Sequence, residues 1–382
     1  MGWMPVLEKL KQALSGHRES PAFRVPGQIH DSSRVLVLVD ADLAALQFHA
    51  PLLAAMRRRW PGASIDFLVP EAFAPLVIPS GLARQVLVYG EKQLSGWKPA
   101  YRSLQRSLAQ TGYDVAMIVA NEPCPALENL ALGSGAAMRL GPSHDGAWPA
   151  INLELRAGDG TRYHGDRMLQ LAPFLGLEDQ PFRTAWPLPR DKVRQVAQLV
   201  HFNKPRPDEW LVGIDPGPDR SGRAVSPQNL LFIAGQLKTQ VSCRILPLCV
   251  PGQEDRRARL ESELTSPVPP AFNRDTLLDT LLLVAQCDLF LAGNTDLLHL
   301  AVARRVPTVG LFGSHVEPAW EPTGARAAML RIARGEKVDI ATLMDTVGEV
   351  TRDAGPGDAA PDGGADDPDL APGSGPLPAP GA

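Results

Sequence analysis

The stretch Cys287-Asp-Leu-Phe-Leu-Ala-Gly-Asn294-Thr-Asp-Leu-Leu-His299-Leu-Ala-Val-Ala303 decides the fold class. Its first six residues form an apolar run too short for a helix. Gly293–Asp296 then makes a tight polar turn, and Leu297–Arg304 carries apolar residues at helical spacing. A buried strand running straight into a helix is half of a βαβ unit. The same alternation repeats on both sides. Upstream, Glu209–Asp215 is a strand, Ser226–Lys238 a helix, Val241–Val250 a strand and Thr276–Gln286 a helix; downstream, Thr308–Phe312 is a strand. Ser226 and Pro227 fit an N-cap followed by the first helical position.

An earlier alternation occupies the first half. Val35–Val39 is a continuous apolar run, as expected of a strand covered on both faces. Leu43–Trp60 reads as a helix ending in Arg57-Arg58-Arg59, which suits the negative end of its dipole, and Pro61-Gly62 stops it. Ser64–Val69, Gln85–Tyr89 and Asp114–Val119 are further strands, and 97–111 is a helix. The expected architecture is α/β: two doubly wound, Rossmann-like parallel-sheet domains facing a cleft. Residues 1–33 form an N-terminal helix and lead-in, 34–190 the first domain, 191–352 the second, and 353–382 a disordered tail. The boundary falls at Ala185-Trp-Pro-Leu-Pro-Arg-Asp191. Met4–Leu14 is a short amphipathic helix that packs on its own domain or lies on a bilayer.

Composition narrows the function. The chain has 382 residues, 44 % hydrophobic and 21 % charged, with a net charge of −4. That size suits two domains with ample cores. The tail from Ala354 holds five Asp and no Lys or Arg, so the rest of the chain stands at +1. A strongly basic nucleic-acid binder is excluded. Four scattered cysteines without a CxxC fit reduced thiols rather than disulfides or zinc, and no signal peptide or membrane span is legible, so a cytoplasmic protein is expected. GxGxxG, Walker, HExxH and GxSxG motifs are absent, which leaves nicotinamide, ATP, metalloprotease and hydrolase readings without support.

Four strand-end loops carry the candidate chemistry. At Asn294-Thr295-Asp296, free backbone N–H groups and the helix dipole favour an anion, with His299 one turn inside the helix. The plain alternative is an N-cap by Asn294 or Thr295 and a helix-face histidine. At Gly217-Pro-Asp-Arg220-Ser-Gly-Arg223, two arginines either grip a diphosphate or ride a surface loop. Glu254 offers a carboxylate to ribose hydroxyls or is a solvated helix start. Asp40 and Asp42 sit where a general base would, and equally suit turn and cap positions.

Together these segments resemble glycosyltransferase family 9, the ADP-heptose:lipopolysaccharide heptosyltransferases. The family's opening block corresponds to Val39-Asp-Ala-Asp-Leu-Ala-Ala45 through Ile65, its "GASxxxKRWP" to Gly217–Ser226, and its "DTGxxHLAAAxxxPxxxLFG" to Asn294–Gly313. The resemblance implies a GT-B fold, with an acceptor domain followed by a donor domain. It also implies transfer of a sugar from a nucleotide-diphosphate donor to a lipopolysaccharide or other glycan acceptor. No cofactor or metal is expected, nucleic acid is not a partner, and contact with the inner membrane would be peripheral. Donor contacts fall on Gly217, Arg220, Arg223, Glu254, Asn294, Thr295, Asp296 and His299. The family's catalytic Asp falls on Ala45, expected to face the cleft, so Asp42 or Asp40 would stand in as base. Its Lys becomes Arg223, and its Asp-Thr-Gly becomes Asn294-Thr295-Asp296. These departures leave a second class open, a non-catalytic member that binds a glycan, a nucleotide or a partner protein.

Overall fold

The computed structural model describes residues 22–90, 93–94, 98–156, 163–178, 185–204, 206, 208–218, 225–264, 267–322, 326–333 and 338–352. The expected helix at Met4–Leu14, both arginines of the 217–223 loop and the tail lie outside the described residues. So do residues 157–162, immediately before Tyr163.

Every strand pairing is parallel. The first sheet contains β1 (Arg34–Val39), β2 (Ser64–Pro70), β3 (Gln85–Tyr89), β4 (Val115–Val119), β5 (Met138–Pro142) and β6 (Leu153–Leu155). The second contains β7 (Trp210–Asp215), β8 (Cys243–Pro247), β9 (Leu289–Ala292), β10 (Thr308–Gly313) and β11 (Ala327–Ile332). Their orders are β3-β2-β1-β4-β5-β6 and β11-β10-β9-β7-β8. Each sheet reverses its winding once, between β1 and β4 and between β7 and β9. At such points the connecting helices leave on opposite faces and a crevice opens beyond the strand ends.

The helices of eight or more residues are α1 (Leu43–Arg59), α2 (Pro99–Thr111), α3 (Pro125–Gly133), α4 (Arg190–Asn203), α5 (Pro227–Gln240), α6 (Glu254–Glu263), α7 (Leu277–Val284), α8 (Asp296–Ala303) and α9 (Ile340–Arg352). Ser226 Oγ accepts the Asn229 N–H at 3.2 Å with Pro227 opening α5, the cap expected from the sequence. Every residue of α1 from Leu43 to Leu53 is buried. A surface helix shows one apolar stripe; this one is covered all round because it lies between its own sheet and α8 of the second.

That contact shapes the molecule. One hydrophobic core fills the outer face of the first sheet and another that of the second. A third, larger one runs continuously from Val35 and Phe67 through α1 to α7, α8 and Phe312. The proline segment expected to divide the domains is itself part of this core. Trp186 is 1 % exposed. Its backbone N–H donates to Gln47 Oε1 of α1 at 3.1 Å, and its carbonyl accepts Arg304 Nη1 of the second half at 3.2 Å. The two sheets are therefore locked in a facing arrangement through apolar packing, which fixes how their strand ends meet.

Candidate functional site

A cavity of about 490 Å³ opens where the two winding reversals face each other. From the first sheet come Ala41 and Asp42, after β1, and Glu122, after β4. From the second come Asp215 and Pro218 after β7, Val250 and Gln253 after β8, Asn294–Asp296 after β9, and His315–Glu317 with Trp320 after β10.

Asp42 is the N-cap of α1. Its Oδ1 accepts the Ala45 N–H at 3.1 Å and its Oδ2 accepts Asn121 Nδ2 at 2.8 Å. The carboxylate is thus held at both oxygens in the wall of the cavity. Asp40 points elsewhere: its Oδ1 takes the Cys124 thiol at 3.8 Å, and it does not line the cavity. Burial pushes that thiol's pKa up to about 11, so Cys124 is no nucleophile at neutral pH. Ala45 does not face the cleft. It is 0 % exposed in the first turn of α1 and lines no part of the cavity. The helix begins at Leu43, so the third position along it turns into the shared core. The acid of this segment that does line the cavity, Asp42, sits at the cap, three residues before Ala45.

In the second sheet, β7 ends at Asp215, 2 % exposed. Desolvation raises its carboxyl pKa to about 6, against the pull of the Gly217 N–H, which donates to Oδ1 at 2.8 Å. The Thr295 hydroxyl faces the same carboxyl and also lowers its pKa, without closing a well-formed hydrogen bond. A Cβ at Gly217 would collide with the Gln253 amide and with Asp215, so a side chain there would displace the Gln253 amide or the Asp215 carboxyl.

The β9–α8 turn differs from the expected cap. Thr295 occupies the cap position but makes no side-chain cap bond, and Asn294 gives its Oδ1 to His299 Nε2 at 3.0 Å. The first-turn N–H groups are left without a side-chain cap at the cavity's edge, the arrangement that suits an anion. Asp296, the first residue of α8, also lines the cavity. His299 is 1 % exposed, behind Asn294 rather than in the cavity. It sits among aromatic rings from both halves, Phe48 edge-on at 5.2 Å, Tyr163 at 5.8 Å and Trp320 at 5.7 Å.

Glu254 is the first residue of α6, exposed, and its Oε1 accepts the Gly252 N–H at 2.9 Å. Its neighbour Gln253 takes the place in the cavity. Asp42, Glu122, Asp215, Asp296 and Glu317 put five carboxyl groups along the wall, and no Lys or Arg lines it among the described residues. Glu122, Gln253, His315, Glu317 and Trp320 had no sequence signal, since loop residues near a strand end look alike until the sheets are assembled. Asp215 had one, its place at the end of a buried strand.

A second cavity, about 70 Å³, lies in the first half beyond β4 and β5, lined among others by His49, Arg156, His164 and Arg167. Burial holds His49 near pKa 4, hence neutral at physiological pH. The Nε of Arg167 is buried without a hydrogen-bond partner. Among the described residues no cluster of His, Cys, Asp or Glu is placed to hold a metal, and no helix is long and apolar enough to cross a membrane.

The family model of glycosyltransferase family 9 (heptosyltransferase) matches residues 240–345. No curated protein sequence matches the chain. Solved structures share its architecture, three among them as follows. A family 9 glycosyltransferase from Veillonella parvula aligns with a TM-score of 0.64 at 16 % identity, covering 80 % of this chain and 87 % of the other. ADP-heptose lps heptosyltransferase II from E. coli aligns at 0.62 and 17 %, covering 84 % and 98 %. E. coli heptosyltransferase WaaC with ADP-2-deoxy-2-fluoro heptose aligns at 0.57 and 17 %, covering 78 % and 93 %. The architecture is GT-B-like, as the sequence led us to expect.

Proposed function

We infer that this chain, which carries the glycosyltransferase family 9 domain over residues 240–345, is a glycosyltransferase of the heptosyltransferase type, taking its sugar from a nucleotide-diphosphate donor. The observation that carries the reading is the meeting of both winding reversals in one cavity, with a held carboxylate on one wall and an uncapped helix start on the other.

In this reading the two walls divide the work. The donor diphosphate lies against the second sheet, at the start of α8 and over Gly217. Backbone N–H groups and the dipole of α8 take up charge as the sugar leaves. Arg220 and Arg223, a few residues along the chain from Pro218, supply the cations that the described wall lacks. The acceptor hydroxyl enters from the first sheet. Asp42 accepts its proton as the oxygen attacks the anomeric carbon. The bond to the diphosphate breaks as the new glycosidic bond forms, and the nucleotide leaves as the diphosphate. No resident cofactor or divalent metal is needed for these steps. The acceptor we assign is a lipopolysaccharide or another glycan, with Arg156, His164 and Arg167 around the smaller cavity as polar contacts for it. Binding at the inner face of a membrane would be peripheral.

The binding-only alternative is less favoured because Asp42 lines the cavity with its carboxylate oriented. The experiment is incubation of the full chain with ADP-, UDP- and GDP-sugars and lipopolysaccharide core acceptors, with release of nucleoside diphosphate as readout. Release that depends on acceptor supports transfer. Nucleotide binding without release under any pairing would favour the binding-only class.

A further inference from the structure

We propose that Tyr163 is a positioning residue for the donor site: through His299 it fixes the amide of Asn294, so that a side chain of the first half orients a donor contact of the second. The inference rests on the transferase reading above and adds a residue to it.

The chain of contacts is short and directional. Tyr163 Oη lies 2.8 Å from His299 Nδ1, and His299 Nε2 lies 3.0 Å from Asn294 Oδ1. An amide oxygen only accepts, so Nε2 carries the proton. Nδ1 is then a lone pair, and the Tyr163 hydroxyl donates to it. With the amide oxygen of Asn294 toward the ring, this tautomer gives each of the two contacts one donor and one acceptor. Its consequence lies at the far end. With its carbonyl oxygen committed to His299, the group that Asn294 has to offer the cavity it lines is its NH₂. Two N–H donors then face the place where a diphosphate or sugar hydroxyl would lie. An amide free to rotate would as readily present its oxygen, which repels an anion.

The surroundings keep this chain in register. The Tyr163 ring meets Phe48 of α1 edge-on at 5.6 Å, and the His164 ring lies 4.0 Å from Trp320, which lines the cavity. Burial pushes the Tyr163 hydroxyl well above the usual phenol range, so it remains a donor at every working pH. Tyr163 and His299 are 136 positions apart in sequence and belong to the two facing halves. The orientation of Asn294 therefore depends on the halves being docked.

The test is a double-mutant cycle on the full chain with ADP as the probe. Tyr163→Phe keeps the ring and its packing and removes only the hydroxyl. ADP should bind about 3- to 10-fold more weakly, the range for one neutral hydrogen bond. Asn294→Ala should also weaken it. The double variant should bind no more weakly than Asn294→Ala alone, because Tyr163 acts only through the amide. Nitrogen-15 NMR gives a readout that needs no ligand. His299 in the wild type should show a protonated Nε2 and a bare Nδ1, and Tyr163→Phe should mix the two tautomers. Unchanged ADP affinity in Tyr163→Phe would overturn the proposal, and so would a Tyr163 loss that adds in full to the Asn294 loss. If the wild type does not bind ADP, the transferase reading loses its support while the NMR arm still decides this one. Ring shifts identical in wild type and Tyr163→Phe would then sink it.

Discussion

The two winding reversals are built alike and do different things. After β1 the chain enters α1 through Asp42, whose side chain caps the helix, is held by Asn121 and lines the cavity. After β9 it enters α8 through Thr295, which caps nothing, and the neighbouring Asn294 is tied to a histidine instead. One helix start is closed by an acid and the other is open to an anion. A helix N-terminus can spend its unpaired N–H groups on its own cap or on a ligand. In our reading the capped start serves proton transfer and the open one serves binding, a division that depends on the two halves staying docked.

Breaking the docking should have the largest effect. Trp186→Ala removes a 1 % exposed indole from the core that joins the halves. Truncations of this kind cost about 3–5 kcal/mol. Thermal or denaturant unfolding of the variant should show that loss, and a change below about 1 kcal/mol would mean the halves are held otherwise.

The next effect concerns the acid buried under the open loop. Asp215 has its folded pKa raised to about 6 from 3.8, so the folded state holds the proton more tightly than the unfolded. Both states are protonated below pH 3.8 and no penalty applies there. Between pH 3.8 and 6 the unfolded carboxyl gives up its proton while the folded one, in its dry place, still holds it, so stability is lost across that window and the loss is complete above 6. Asp215→Asn removes that cost. It should match the wild type near pH 4 and exceed it above pH 7, by about 3 kcal/mol at most. Melting curves across that range check the sign, and an equal gap at every pH would contradict it.

A smaller effect should follow from Arg223, which we propose as a cation for the donor. Arg223→Ala should weaken nucleoside-diphosphate binding by about 1.5–3 kcal/mol, the range for a hydrogen bond to a charged group. Calorimetry checks it, and unchanged affinity would remove Arg223 from the donor site.

The same contrast explains what could be read in advance. The Val35–Val39 run, the Ser226-Pro227 start of α5 and the β9 turn were legible because period, cap chemistry and dipole act within a few residues. The short strands β5, β6 and β11, and helices α3 and α9, were not anticipated. Met138–Pro142 contains a charge and two helix breakers, and Ala327–Ile332 is an edge strand with little apolar contrast. At the site, Asp42 and the 294–296 turn were legible as strand-end polar residues. Ala45 was misplaced because matching motifs fixes order along the chain but not which side of a helix turn faces outward. Tyr163 was invisible, since its partner His299 lies in the other half of the sequence.

The division of labour between the two loops depends above all on Asp42. Donor affinity and turnover should be measured on the same Asp42→Asn protein, beside wild type and Asp40→Asn, once a transferable sugar is in hand. We expect kcat to fall at least ~10²-fold, the contribution of a positioned general base. Donor affinity should stay unchanged, because the donor lies on the opposite wall. Asp40→Asn should turn over within a few-fold of wild type. Equal turnover by Asp42→Asn and wild type would contradict the division of labour between the two loops.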